Sequence, residues 1–120
     1  MLPQVAALDV QPITRLFRAL GDETRVRIVA LLTHGELCVC HIEEALGLPQ
    51  PNVSRQLGVL RSAGIVAPRR EGSWIYYRIA EQEDDECRRV LKAIKSFAAH
   101  DKLHRDVQKL RTVMGPGSCQ

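Results

Sequence analysis

Gly47-Leu48-Pro49-Gln50 is the punctuation that most restricts this chain. It separates two short segments whose apolar residues recur at helical spacing. Glycine stops a helix by taking a left-handed conformation, and proline shortly after cannot continue it. The segment before the turn covers about Val39 to Leu46. The segment after it covers about Pro51 to Ala63, with Val53, Leu57 and Leu60 spaced four and three apart and Gly64 at its end.

What flanks this pair sets the architecture. Upstream, Asp9 can cap a helix to about Leu20, with Ile13, Leu16, Phe17 and Leu20 at helical spacing and Pro12 in the first turn, where proline is tolerated. Asp22 can cap a second helix reaching about Thr33, with Val26, Ile28, Val29, Leu31 and Leu32 for the core and Gly35 beyond its end. Downstream the period changes. Ile65–Arg70 and Ser73–Ile79 read as two strands with Glu71-Gly72 as the hairpin turn. Acidic residues at 81–86 then suit the start of a last helical region. It carries a stripe of Val90, Leu91, Ile94, Phe97 and Ala98, continued by Leu103, Val107 and Leu110 after a break near His100-Asp101. Two helices joined by a short turn and followed by a hairpin give the order of a winged helix-turn-helix, mainly α with a small β-hairpin: α-α-α-α-β-β-α(-α). We expect one domain over residues 1–114 and a loose tail over 115–120 that carries Cys119.

A chain of 120 residues builds a modest core, and oligomerisation is a common remedy. The net charge of +3 permits nucleic-acid binding without arguing for it. No apolar run is long enough for a membrane span, and the N-terminus lacks a basic region followed by an apolar one, so a cytoplasmic location is expected. In a reducing compartment four cysteines point to metal or redox chemistry rather than structural disulfides.

In a helix-turn-helix the second helix lies in the major groove and reads bases from its N-terminal residues. Those are Gln50, Asn52, Ser54, Arg55 and Gln56. Arginine can bond guanine bidentately, and asparagine or glutamine can bond adenine. Ser54 and the helix-start amides can hold phosphates. Alone, such residues equally suit a solvated helix face. The basic hairpin Arg69-Arg70-Glu71-Gly72-Ser73, with Arg78 nearby, tips the balance toward DNA. Trp74, Tyr76 and Tyr77 are expected to pack rather than stack on bases.

Cys38 and Cys40 stand at the start of the helix that precedes the reader. Thiolates select soft ions such as zinc, cadmium, copper(I) and trivalent arsenic or antimony, and a helix N-terminus favours the thiolate. Residues two apart point about 200° away from each other in a regular helix. Gripping one ion with both is therefore expected to distort the first turn and misalign the reader. The plainer reading of the pair is two small buried hydrophobes. Two donors underfill a trigonal or tetrahedral site. His41, Glu43, Cys87 and Cys119 are candidates for a third. His100 and His104, four apart with Asp101 nearby, have a spacing that can bind zinc but suits a solvated face better.

At this point the sequence resembles the ArsR/SmtB family of metal-responsive repressors, and its arsenic-sensing branch most closely. The residues that carry the likeness are A-L-G-D-E-T-R-V-R-I at 19–28, E-L-C-V-C at 36–40, Q-P-N-V-S-R-Q-L at 50–57, L-R-S-A-G-I-V at 60–66 and R-R-E-G-S-W-I-Y-Y-R-I at 69–79. The resemblance implies a homodimer built through the first and last helices, in agreement with their apolar stripes. It also implies a palindromic double-stranded operator bound without ligand, and release when As(III) or Sb(III) binds at Cys38 and Cys40. The sequence departs from that pattern at Glu43, where the family's arsenic site has a further cysteine. It departs also at His41, where aspartate is usual, and at Gln56, where histidine is usual. Glu43 or His41 as third ligand would favour Zn(II) or Cd(II), and Cys87 or Cys119 would keep an all-thiolate site. A zinc/cadmium- or redox-responsive repressor is the alternative on the same scaffold. A C-x-C thiol oxidoreductase is a remote one, because no thioredoxin-like βαβ pattern is present.

Overall fold

The computed structural model describes residues 10–97 and 101–114. Among them, six helices and three strands follow in the order α1 (Gln11–Ala19), α2 (Glu23–Leu32), β1 (Leu37–Cys38), α3 (Val39–Leu46), α4 (Gln50–Ser62), β2 (Val66–Glu71), β3 (Trp74–Ile79), α5 (Asp85–Ser96) and α6 (Asp101–Val113). The helix-turn-helix is α3 and α4. Gly47 closes α3 at φ 67°, donating to the carbonyl of Glu43 at 2.9 Å. Only a residue that tolerates that left-handed backbone lets the chain turn so sharply into Pro49, the N-cap of α4. The buried face of α4 is Val53, Leu57 and Leu60, as its spacing predicts. Asp22 caps α2 by accepting from the Arg25 amide at 3.1 Å. The expected Asp9 cap lies outside the described residues, and α1 begins from Val10 with no side-chain cap.

The strands form one antiparallel sheet in the order β1-β3-β2. β2 and β3 are the expected hairpin, turning at Gly72 with φ 62° and pairing Arg69 with Tyr76 and Glu71 with Trp74. The expected element order lacks β1. Leu37 pairs with Tyr77 and Cys38 with Tyr76, so β3 is the central strand. Two residues, both buried, are too short to show the alternation by which a strand is recognised.

One core cluster runs from Leu16 through Ile28, Ile42, Leu57 and Ile65 to Leu91, Val107 and Leu110. α5 ends at Ser96, before the expected break, and residues 98–100 lie outside the described set. α6 then packs across α2 and α3. A buried ion pair fixes it there. Arg27 of α2 donates from Nε and Nη2 to the two carboxylate oxygens of Asp106 at 2.8 and 2.9 Å, and Nη2 also reaches the Leu46 carbonyl at the end of α3. The apolar stripes of α1 and α5 are not wholly covered within the protomer, since Phe17 is 56% and Phe97 51% exposed. No helix among the described residues is long and apolar enough to cross a membrane.

Candidate functional site

The junction of β1 and α3 places the two cysteines. Cys38 is the N-cap of α3, with an extended backbone at ψ 143°, and Cys40 is the second residue of the helix. Because Cys38 stands outside the helical turn, the two sulfurs lie 3.0 Å apart. Only one of the two residues is helical, so the opposed geometry of two helical cysteines does not arise here. Cys38 is buried and Cys40 half-buried.

Both cysteines line a cleft of about 210 Å³. Its other walls are Glu43 on α3, Gln50, Ser54 and Leu57 on α4, and Ser73, Trp74, Ile75 and Tyr77 on the hairpin. The two sulfurs, the start of the reading helix and the wing therefore enclose one space. Burial pushes the Glu43 carboxyl up from the usual carboxylate range. Among the described residues no three His, Cys, Asp or Glu side chains gather into a metal site, so Glu43 shares the cleft without completing a three-donor set.

The other candidate ligands are scattered. His41 faces away into buried surroundings that push its imidazole down, and its Nε2 has no hydrogen-bond partner among the described residues. Cys87 is a free thiol buried in the core under α5. Burial first, then Asp84 and Glu86, push it up and disfavour the thiolate. His104 is exposed on α6. Cys119 and His100 lie outside the described residues.

The predicted DNA-reading residues divide in two. Gln50, Ser54 and Arg55 are exposed along the first turns of α4, and Asn52 is half-buried beside them. Gln50 donates to the Ser54 hydroxyl, and Arg55 donates to Asn52 Oδ1 at 3.3 Å, so their contacts are with each other. No side chain caps this helix start, which leaves its positive end for an anion. Gln56 behaves differently. Its Oε1 accepts from Arg25 Nη1 at 2.8 Å, and Arg25 Nε donates to the Ala19 carbonyl at 2.5 Å. Gln56 thus ties the reader to the α1–α2 corner.

In the wing, Arg70 and Ser73 are exposed. Arg69 is held by carboxylates: Nη2 donates to Glu36 at 2.8 Å, Nε to the same carboxylate at 3.1 Å, and Nη1 to Glu71 at 3.0 Å. Its guanidinium also sits 4.7 Å from the Tyr76 ring centre. Hydrogen bonds from Arg69 hold the Glu36 carboxyl below the usual range. Trp74, expected to pack, is 40% exposed at the cleft. Sequence reasoning missed Glu36 and Arg25. Neither bears a signal of its own, since their partners lie 33 and 31 residues away.

A short turn between α3 and α4, an uncapped reading-helix start and a basic hairpin define a winged helix-turn-helix of the DNA-binding kind. The model for bacterial regulatory proteins of the arsR family matches residues 22–67. The uncharacterized HTH-type transcriptional regulator MJ1325 of Methanocaldococcus jannaschii is 42% identical over 80 residues, covering 66% of this chain and 86% of that one. The chain belongs to the arsR family. The arsenic resistance transcriptional regulator ArsR1 of Pseudomonas putida is 51% identical over 65 residues, 53% of this chain and 51% of that protein. The chain thus spans about half the length of that curated relative. Among solved structures, the homodimeric winged helix-turn-helix DNA-binding domain of Mb0332 from Mycobacterium bovis, a possible ArsR-family transcriptional regulator, matches with a TM-score of 0.63 and 33% identity over 82% of this chain and 88% of that one. The family is one of regulatory proteins, and the oxidoreductase reading is set aside.

Proposed function

We propose that this chain is a metalloid-responsive transcriptional repressor. It binds a palindromic operator as a homodimer and leaves it when trivalent arsenic or antimony binds Cys38 and Cys40. The observation that carries this reading is the shared cleft: the two sulfurs, the start of α4 and the wing line one space. A ligand held by the sulfurs adjoins Gln50 and Ser54 on one side and Ser73 and Trp74 on the other, so loading the cleft moves the surfaces that meet DNA.

The two sulfurs lie 3.0 Å apart, close enough for one soft ion to meet both. The arsenic resistance relative fits the same inducer. The buried Cys87 is a core residue in this reading, and Cys119 is the remaining thiol available as third donor. DNA contacts are assigned to Gln50, Asn52, Ser54, Arg55, Arg70 and Ser73, with Gln56 and Arg69 acting through their protein partners until DNA competes for them. The exposed Phe17 and Phe97 are the surface that a second copy would cover, as in the homodimeric Mycobacterium bovis domain. A second reading, release by Zn(II) or Cd(II), is favoured by one observation, the Glu43 carboxyl in the wall of the thiol cleft.

The test is an operator-release titration by fluorescence anisotropy with arsenite, antimonite, cadmium and zinc. Stoichiometric arsenite releases the unaltered protein, while Cys38→Ser and Cys40→Ser stay bound at any dose that leaves the fold intact. Cys87→Ser responds normally, and Cys119→Ser weakens the response. An unaltered complex that survives excess arsenite sinks the metalloid reading, and release by cadmium or zinc alone establishes the second one. Release that persists in Cys40→Ser removes the thiol pair as the sensor.

A further inference from the structure

Some exposed arginines among the described residues meet a carboxylate and others do not. Arg69, Arg88 and Arg89 each meet a carboxylate. Arg15 and Arg18 do not. They lie three residues apart on α1, both are exposed, and neither has a side-chain partner among the described residues. With Arg25 they line a cleft of about 250 Å³ against the C-terminal half of α4, where Val59 forms the floor and Ser62 contributes a hydroxyl. No acidic side chain lines it. Arg25 is half-buried and fixed at two points, to the Ala19 carbonyl and to Gln56 of the reading helix.

Like charges repel, so three arginines lining one small cleft with no carboxylate among its walls call for an anion. Guanidinium presents donors in a planar fork that matches phosphate oxygens two at a time. The fixed Arg25 supplies one preorganised wall, the two free arginines can close from the other side, and Ser62 adds a neutral donor. We propose that this cleft is a phosphate-binding site, separate from the reading face at the start of α4. The phosphate is either a backbone phosphodiester of duplex DNA beyond the groove that α4 reads, or a free phosphate or pyrophosphate. Both sources present the same tetrahedral oxyanion. In the DNA case the footprint extends onto α1, and affinity acquires a component independent of base sequence. The site does not depend on the thiol reading.

The experiment compares the full chain with the double variant Arg15→Gln/Arg18→Gln and with a charge-matched control, Lys92→Gln/Lys109→Gln, whose side chains are exposed outside the cleft. Arg25 is left in place because it holds Gln56. One arm measures binding to a short non-operator duplex over a range of KCl concentrations, so no operator need be known. Abolishing one ion pair with a DNA phosphate lowers the slope of log affinity against log salt by about 0.9. The slope for the arginine variant should therefore fall by up to about 1.8 for each protomer on the DNA, and that of the control by less than half as much. The other arm titrates inorganic pyrophosphate into DNA-free protein, followed by calorimetry. A fall in slope specific to the arginine variant assigns the site to DNA. An unchanged slope with pyrophosphate binding abolished only in that variant assigns it to a free phosphate. If the arginine variant matches the control in both arms, the site does not exist. Circular dichroism melting checks that both variants keep the fold.

Discussion

Arg27 and Arg69 each bring a guanidinium nitrogen to 2.8 Å from a carboxylate oxygen, and there the likeness ends. The side chains of Arg27 and Asp106 are 14% and 6% exposed, whereas those of Arg69 and Glu36 are 44% and 31% exposed. The first pair has left water and is complete: Arg27 holds both carboxylate oxygens and a carbonyl as well. Removing either partner strands a charge in the core. The second pair is still solvated. Water, or a DNA phosphate, can replace either carboxylate on Arg69 at small cost. The same chemistry therefore serves as a scaffold in one place and as an exchangeable contact in the other, and burial decides which.

The largest expected effect follows from the buried pair. Asp106→Ala leaves Arg27 charged and unpaired beneath α6, which should cost about 3–5 kcal/mol of folding stability. In a small domain that is a large fraction of the total. Urea unfolding measures it, and Asp106→Asn, which keeps an acceptor for one of the two donors, should fall between Ala and the unaltered protein. A loss below about 1 kcal/mol, the range of a surface pair, would show that Arg27 finds water there and that the contrast with Arg69 is false.

The wing pair is expected to have almost no effect on stability and a visible one on DNA. Glu36→Gln removes one of the two carboxylates that hold Arg69. The freed guanidinium can then take a phosphate, and the dependence of operator affinity on salt should steepen by about 0.9 for each wing engaged. Tyr76 matters here, because it carries Arg69 on its ring and pairs with Cys38 in the sheet. Cys38 and the wing arginine are thus joined through one residue of β3. A slope that stays the same, or affinity that falls, would mean that Glu36 positions Arg69 for DNA instead of withholding it.

The same contrast explains what the sequence can and cannot reveal. Helices announce themselves by period and punctuation, so the reading helix, its buried face of Val53, Leu57 and Leu60, and the Gly47 turn are all legible. The hairpin is legible from alternation and the turn at Gly72. Short and long-range features are not. β1 has two residues, and it is this strand that moves Cys38 out of the helix and brings the two sulfurs together. Two helical cysteines two residues apart would point about 200° away from each other, and the extended backbone of Cys38 removes that constraint. Gln56 has the chemistry of a base reader, but Arg25, 31 residues earlier, claims its oxygen. Phe17 and Phe97 belong to apolar stripes, as their spacing predicts. Their exposure shows that a pattern does not say whether the partner surface belongs to the same chain.

The smallest expected effect is also the cleanest control on burial. Lys102 and Glu23 join the same two helices as Arg27 and Asp106, with Nζ 2.5 Å from Oε2, but their side chains are 48% and 66% exposed. The hydrogen bond and charge of Lys102 hold the Glu23 carboxyl below its ordinary value. A depressed carboxyl adds stability above its unfolded-state value and loses it as pH falls through the lowered folded one. The pair is therefore intact at neutral pH, where the comparison should be made. Glu23→Gln there should leave the urea midpoint within experimental error, because solvent screens both charges and the two side chains lose rotamer freedom in meeting. Should it instead destabilise the protein as much as Asp106→Ala does, the seam between α2 and α6 depends on its charges wherever they sit, and burial is not what separates scaffold from exchangeable contact.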